Sequence, residues 1–134
     1  MPATPAPLCH ALAVVTGVLT YLGALALDGF MTGDMARSFA REAIDTGPYW
    51  YIALPVCYLV AGLLGYHGRS RPWRWSLDML ATHAVCTLLL AGSGLNLWPL
   101  ALVLSLVLAL PGILTAWLGS VAYRCRATLD APGR

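Results

Sequence analysis

Residues 76–86, SLDMLATHAVC, set an acid (Asp78), a hydroxyl (Thr82), an imidazole (His83) and a thiol (Cys86) in a run that otherwise reads as lipid-soluble helix. Such groups do acid–base, ligand-binding or thiol chemistry, and inside a membrane helix ionisable residues often mark a pathway. At 100° per residue, with Asp78 at zero, Thr82, Ser93, Cys86, His83, Ser76 and Thr87 fall at roughly 40°, 60°, 80°, 140°, 160° and 180°. Every polar side chain of the run shares one half of the helix, with Met79, Leu89 and Leu90 among them. The other half holds Leu77, Leu80, Ala81, Ala84, Val85, Leu88 and Ala91. This division predicts a polar half facing the protein interior, with Asp78, Thr82, His83 and Cys86 as the candidate binding face, and an apolar half facing lipid.

Depth separates these groups. Ser76 reads as an N-cap, which puts Asp78 in a first turn that favours a carboxylate, close to Arg69, Arg71 and Arg74. His83 lies seven residues past Ser76, roughly 10 Å further along the helix. A neutral imidazole bonded to another helix is the expectation there; the functional alternative is a group that titrates, binds a solute or ligates a cofactor. His10 and His67 fall near span ends on the side of Asp78, at heights that match His83 poorly as haem ligands. His10 and His67 with Cys9 or Cys125 have no metal-site spacing. No cofactor and no metal are therefore expected. Cys9, Cys57, Cys86 and Cys125 form no C-x-x-C pair and read as packed thiols, with Cys57 and Cys86 both inside their spans.

The elements that must hold these residues follow from composition. The chain has 134 residues, 59% of them hydrophobic and 10% charged. Mean hydropathy is +0.72, whereas a soluble domain carries about 25% charge. The basic residues are all Arg, and a net charge of +2 leaves no patch for nucleic acid. Four apolar stretches, at about 8–27, 48–66, 76–91 and 98–123, approach the roughly 20 residues that a bilayer core demands. The expected fold is an all-α integral membrane protein, a single domain of four transmembrane helices with a short interfacial helix in the first, outer loop. The first stretch follows MPATPAPLCH, which lacks the basic residues of a signal peptide, so it reads as a retained helix.

Arginine sets the orientation. Arg69, Arg71 and Arg74 lie in the second loop and Arg124, Arg126 and Arg134 in the tail, so that loop and both termini are assigned to the cytoplasm and the protein to the cell membrane. Tyr49, Trp50, Tyr51 and Trp98 mark the outer interface; Tyr66, Trp73, Trp75, Trp117 and Tyr123 mark the inner one. In the outer loop, Met31, Met35, Phe39 and Ala43 recur every four residues, the stripe of the interfacial helix; a lid or docking surface is its functional alternative. GSGLN, residues 92–96, reads as a tight turn that pairs the third and fourth spans.

Apolar burial cannot drive association in lipid, so small residues must let helices approach. Ala13 and Gly17, Thr20 and Ala24, then Cys57, Ala61 and Gly65, then Gly112, Ala116 and Ser120 provide such seams, suited equally to a bundle and to self-association. Pro55 and Pro111 predict kinks. Short loops and few intramembrane charges point to an accessory or structural subunit packed against itself or other membrane subunits. The alternatives are a small-solute or ion transporter lined by the polar face of the third helix, and a membrane enzyme acting on lipid or quinone through His83 or Asp78. No nucleophile–base pair is evident, which weighs against an enzyme.

Overall fold

The computed structural model describes residues 5–39, 42–68, 71–90 and 98–129. Ser93, the 92–96 turn, Ala91, Arg41, Arg69 and Arg134 lie outside the described residues. The regular elements among the described residues are all helical. Helix α1 (Ala6–Thr32) begins behind Pro5, carries Pro7 in its first turn where no N–H is missed, and ends at Gly33, φ +72°. It is followed by α2 (Met35–Phe39), α3 (Leu54–Gly68), α4 (Trp73–Leu90) and α5 (Trp98–Leu129). A single 3-10 turn (Ala43–Asp45) and a π turn (Tyr49–Ala53) lead from α2 into α3.

Three of these segments are long and apolar enough to cross a membrane: α1, the run Tyr49–His67, and α5 from Leu102 onward. Helix α4 is not among them, since Arg74, Ser76, Asp78, Thr82 and His83 fall within its eighteen residues. It lies between α1 and α5 and also touches α3. Its buried side chains centre on Met79 and His83, within the half expected to face inward. Leu80 and Ala84, expected to face lipid, are buried as well, because α5 packs on that flank and Leu80 shares a core cluster with Ala109. Ala81 and Val85 remain open, and so do Leu89 and Leu90, which share the half expected to face inward but lie at the end of the helix. The helix starts three residues before Ser76, so Ser76 is no N-cap: it is buried and donates to the Ala109 carbonyl of α5 at 3.1 Å.

The outer connector differs from a single amphipathic helix. Gly33 terminates α1, and the chain folds back so that Ser38 donates to the Asp28 carboxylate at 2.6 Å. Ala43 and Thr46 are buried against the bundle end, whereas Met31, Met35 and Phe39 stand exposed. The four-residue stripe is thus divided by glycine-broken backbone into pieces with different neighbours.

The small-residue seams lie at contacts within the chain. Ala13, Ala24, Cys57, Ala61, Ala116 and Ser120 are all at most 5% exposed. Helices α3 and α5 approach closely at Gly65, where an added Cβ would clash with the Ala116 carbonyl, and at Gly119, where it would clash with that of Gly62. Beside Pro111, the carbonyls of Leu108 and Ala109 accept the Tyr58 hydroxyl (2.9 Å) and Ser76, so side chains of α3 and α4 meet α5 where proline interrupts its own ladder.

His10 meets Asp78, and Tyr66 meets Tyr123, which gathers the start of α1, the end of α3, the start of α4 and the end of α5 at one end of the bundle. Among the described residues that end holds Arg71, Arg74, Arg124 and Arg126 with Asp78, and the opposite end holds Asp28, Asp34, Glu42 and Asp45 with Arg37.

Alanine at Gly65 is expected to destabilise the bundle by about 1–3 kcal/mol through overpacking, despite alanine's better helix propensity. At Gly23, where an added Cβ meets nothing within 4 Å, the same change is expected to be neutral or stabilising. Denaturation of both variants, followed by circular dichroism, checks this; equal behaviour would remove the argument from close approach.

Candidate functional site

The interior polar cluster is built on His83, 2% exposed, from three other helical segments. Thr20 comes from α1, Cys57 from α3 and Tyr49 from the π turn. In that turn the Leu54 N–H reaches back five residues to the Tyr49 carbonyl. The widened turn sits directly ahead of Pro55, which has no N–H to continue an ordinary ladder. Trp50 holds it from the outside by donating to the Ile44 carbonyl at 2.8 Å. Tyr49, 3% exposed, is thereby directed inward.

On α1, Gly17 makes room. A Cβ there would stand 2.7 Å from the Met79 carbonyl oxygen and 2.9 Å from the Thr82 Cβ, so the α1 and α4 backbones touch one turn below Thr20. That approach brings Thr20 Oγ1 to 3.0 Å from His83 Nε2 and 3.3 Å from Cys57 Sγ.

The protons can be placed from these distances. Thr20 has one, and its hydroxyl lies 2.8 Å from the Thr16 carbonyl and 3.1 Å from the Gly17 carbonyl, so it donates to its own helix. Its lone pairs then face His83 and Cys57. Nε2 therefore carries the ring proton and donates to Thr20, and Nδ1 keeps its lone pair and accepts the Tyr49 hydroxyl at 3.1 Å. The opposite tautomer would leave the buried Tyr49 proton facing another N–H. Cys57 Sγ, 3.8 Å from Nε2, completes the surroundings as a weak donor toward Thr20. Tyr21 lies beside the cluster, its ring 5.6 Å from that of His83 and its hydroxyl 3.0 Å from Thr87.

The four residues of the expected polar face have separate surroundings. Only His83 sits in this cluster. Asp78 is at the arginine-rich end, where it accepts from His10 Nδ1 at 2.5 Å while Trp75 stacks edge-on against His10 at 4.8 Å. Thr82 turns back to the Asp78 carbonyl at 2.7 Å. Cys86 is half-buried against the core cluster that contains Tyr21, and the thiol beside His83 is Cys57. His67 lies against its neighbour Tyr66, the rings 5.1 Å apart. Among the described residues no three His, Cys, Asp or Glu side chains gather to hold a metal ion.

Sequence reasoning missed Tyr49, Thr20 and His10 as partners. Tyr49 stands beside Trp50 and Tyr51 and reads as part of an interfacial belt. A usable signal was Tyr21 with Thr20, since a hydroxyl deep in an apolar span needs a partner on another helix.

The arrangement is a closed knot of hydrogen bonds in which the imidazole has neither a spare lone pair nor a spare proton. The fold and site thus define an all-helical bundle assembled around a satisfied buried histidine. Comparison with protein-family models, curated proteins and solved structures returns no match.

Tyr49→Phe, which orphans Nδ1, is expected to cost about 1–3 kcal/mol of unfolding free energy. Combined with His83→Leu it should cost less than the sum of the two single changes, because each residue's role depends on the other. Strict additivity in denaturant titrations would contradict that dependence.

Proposed function

We propose that this chain is an integral membrane protein of four spanning helices, serving as an accessory or structural subunit of a membrane assembly, whether of like or unlike chains. The observation that carries this reading is the division between surface and interior. Leu19, Leu59, Leu63, Leu106, Leu110 and Leu114 stand more than half exposed on the outward faces of α1, α3 and α5, while His83, Thr20, Tyr49 and Cys57 are tied to one another inside. An apolar exterior of this extent suits lipid and neighbouring membrane helices.

Connectivity supports the fourth span. Both α3 and α5 run toward the arginine-rich end, and α4, which connects them, runs the other way, as a fourth spanning helix would. Packed between α1 and α5, it tolerates polar residues that a lipid-exposed helix would not. The short α2 and its exposed neighbours Phe30 and Met31 lie at the opposite end, in the outer interface. The positive-inside rule supports a cytoplasmic arginine end, with both termini inside the cell and the protein in the cell membrane. A transporter lined by α4 is the second reading, favoured by the line of polar contacts between α1 and α4. Direct contact of Gly17 with Met79 and Thr82 on that line favours packing over passage.

Copurification from native membranes in mild detergent is expected to yield a stoichiometric complex larger than the 14.3 kDa chain. A lone monomer under every gentle condition would sink the subunit reading. For orientation, exposed Cys125 should react with a membrane-impermeant maleimide in inside-out vesicles and not in intact cells, with the signal lost in Cys125→Ser. Labelling of Cys125 in intact cells would reverse the assignment.

A further inference from the structure

We propose that the arginine-rich end binds the phosphate headgroups of anionic phospholipids in one leaflet. The proposal rests on membrane insertion and goes beyond it by naming a ligand class. Arg71 and Arg74 at the start of α4, and Arg124 and Arg126 at the end of α5, are all exposed, and they come from two helices gathered at the same end of the bundle.

Helix α5 has 32 residues and runs about 48 Å, well past a hydrocarbon core of about 30 Å. Its final turns therefore reach the layer where phosphates lie. Trp73 and Trp117, both about half exposed, mark the boundary just below it. A guanidinium offers paired N–H groups that fit two oxygens of one phosphate, and it stays charged at any physiological pH. The carboxylates Asp28, Asp34, Glu42 and Asp45 at the other end repel the same lipids, so the preference belongs to one leaflet.

The test uses the full chain with Trp50→Phe and Trp98→Phe, reconstituted in phosphatidylcholine vesicles containing either brominated phosphatidylcholine or brominated phosphatidylglycerol. Quenching of the remaining tryptophans is expected to show an exchange constant about two- to five-fold in favour of the anionic lipid. The preference should fall toward unity in R71Q/R74Q/R124Q/R126Q and at 1 M salt, where the Debye length is about 3 Å. Equal quenching by the two lipids in the unsubstituted arginine background overturns the proposal. So does displacement by sodium phosphate beyond that by sodium chloride at equal ionic strength, which would assign the site to free phosphate. An unchanged lipid preference in the fourfold variant, with its assembly lost, would overturn it in favour of an acidic protein partner. Quenching by brominated phosphatidylcholine reports insertion itself, so a failure of the membrane reading is separately visible as no quenching by either lipid.

Discussion

An imidazole enclosed by apolar side chains must have both ring nitrogens satisfied, because an unpaired polar atom there costs as much as several good packing contacts gain. At His83 the two partners are Thr20 and Tyr49, on different segments, and neither reaches the ring unless its backbone is placed to within a fraction of a turn. The histidine therefore acts as a gauge of assembly. Only the native arrangement of α1, α4 and the start of α3 leaves neither ring nitrogen of His83 orphaned.

Close backbone contact makes this gauge usable. Gly17 lets α1 lie against α4, and Gly65 lets α3 lie against α5. With larger residues at either place the helices would stand further apart, and hydrogen bonds of about 3 Å could not close across the gap. Packing of small residues and bonding of polar ones are thus two aspects of one geometry. The first sets the separation, and the second selects the rotation.

Much of this architecture was legible in the sequence. Apolar runs located the long helices and the small-residue seams fell on contacts within the chain, whereas the angular pattern of α4 divided its faces only in part, since Leu80 and Ala84 are buried and Leu89 and Leu90 exposed. The unread parts share a physical cause. Partner identity depends on which helices become neighbours, a tertiary fact that one helix's periodicity does not contain. Tyr49 sits at a span end among other aromatics, and its inward turn depends on a π turn that residue spacing does not announce. Ser76 resembles a cap in sequence, yet its hydroxyl serves α5 beside Pro111. Met31, Met35, Phe39 and Ala43 form a stripe only if the helix continues through Gly33, and it does not.

The π turn at Tyr49–Ala53 makes chain length itself part of the specification. Between Tyr49, which must face His83, and Cys57, which must face Thr20, the number of residues matters as much as their kinds. Deleting one apolar residue there would leave composition and hydropathy almost unchanged. It would nevertheless swing Tyr49 by about 100° relative to the rest of α3. In this segment the spacing of the sequence is information of the same rank as its chemistry.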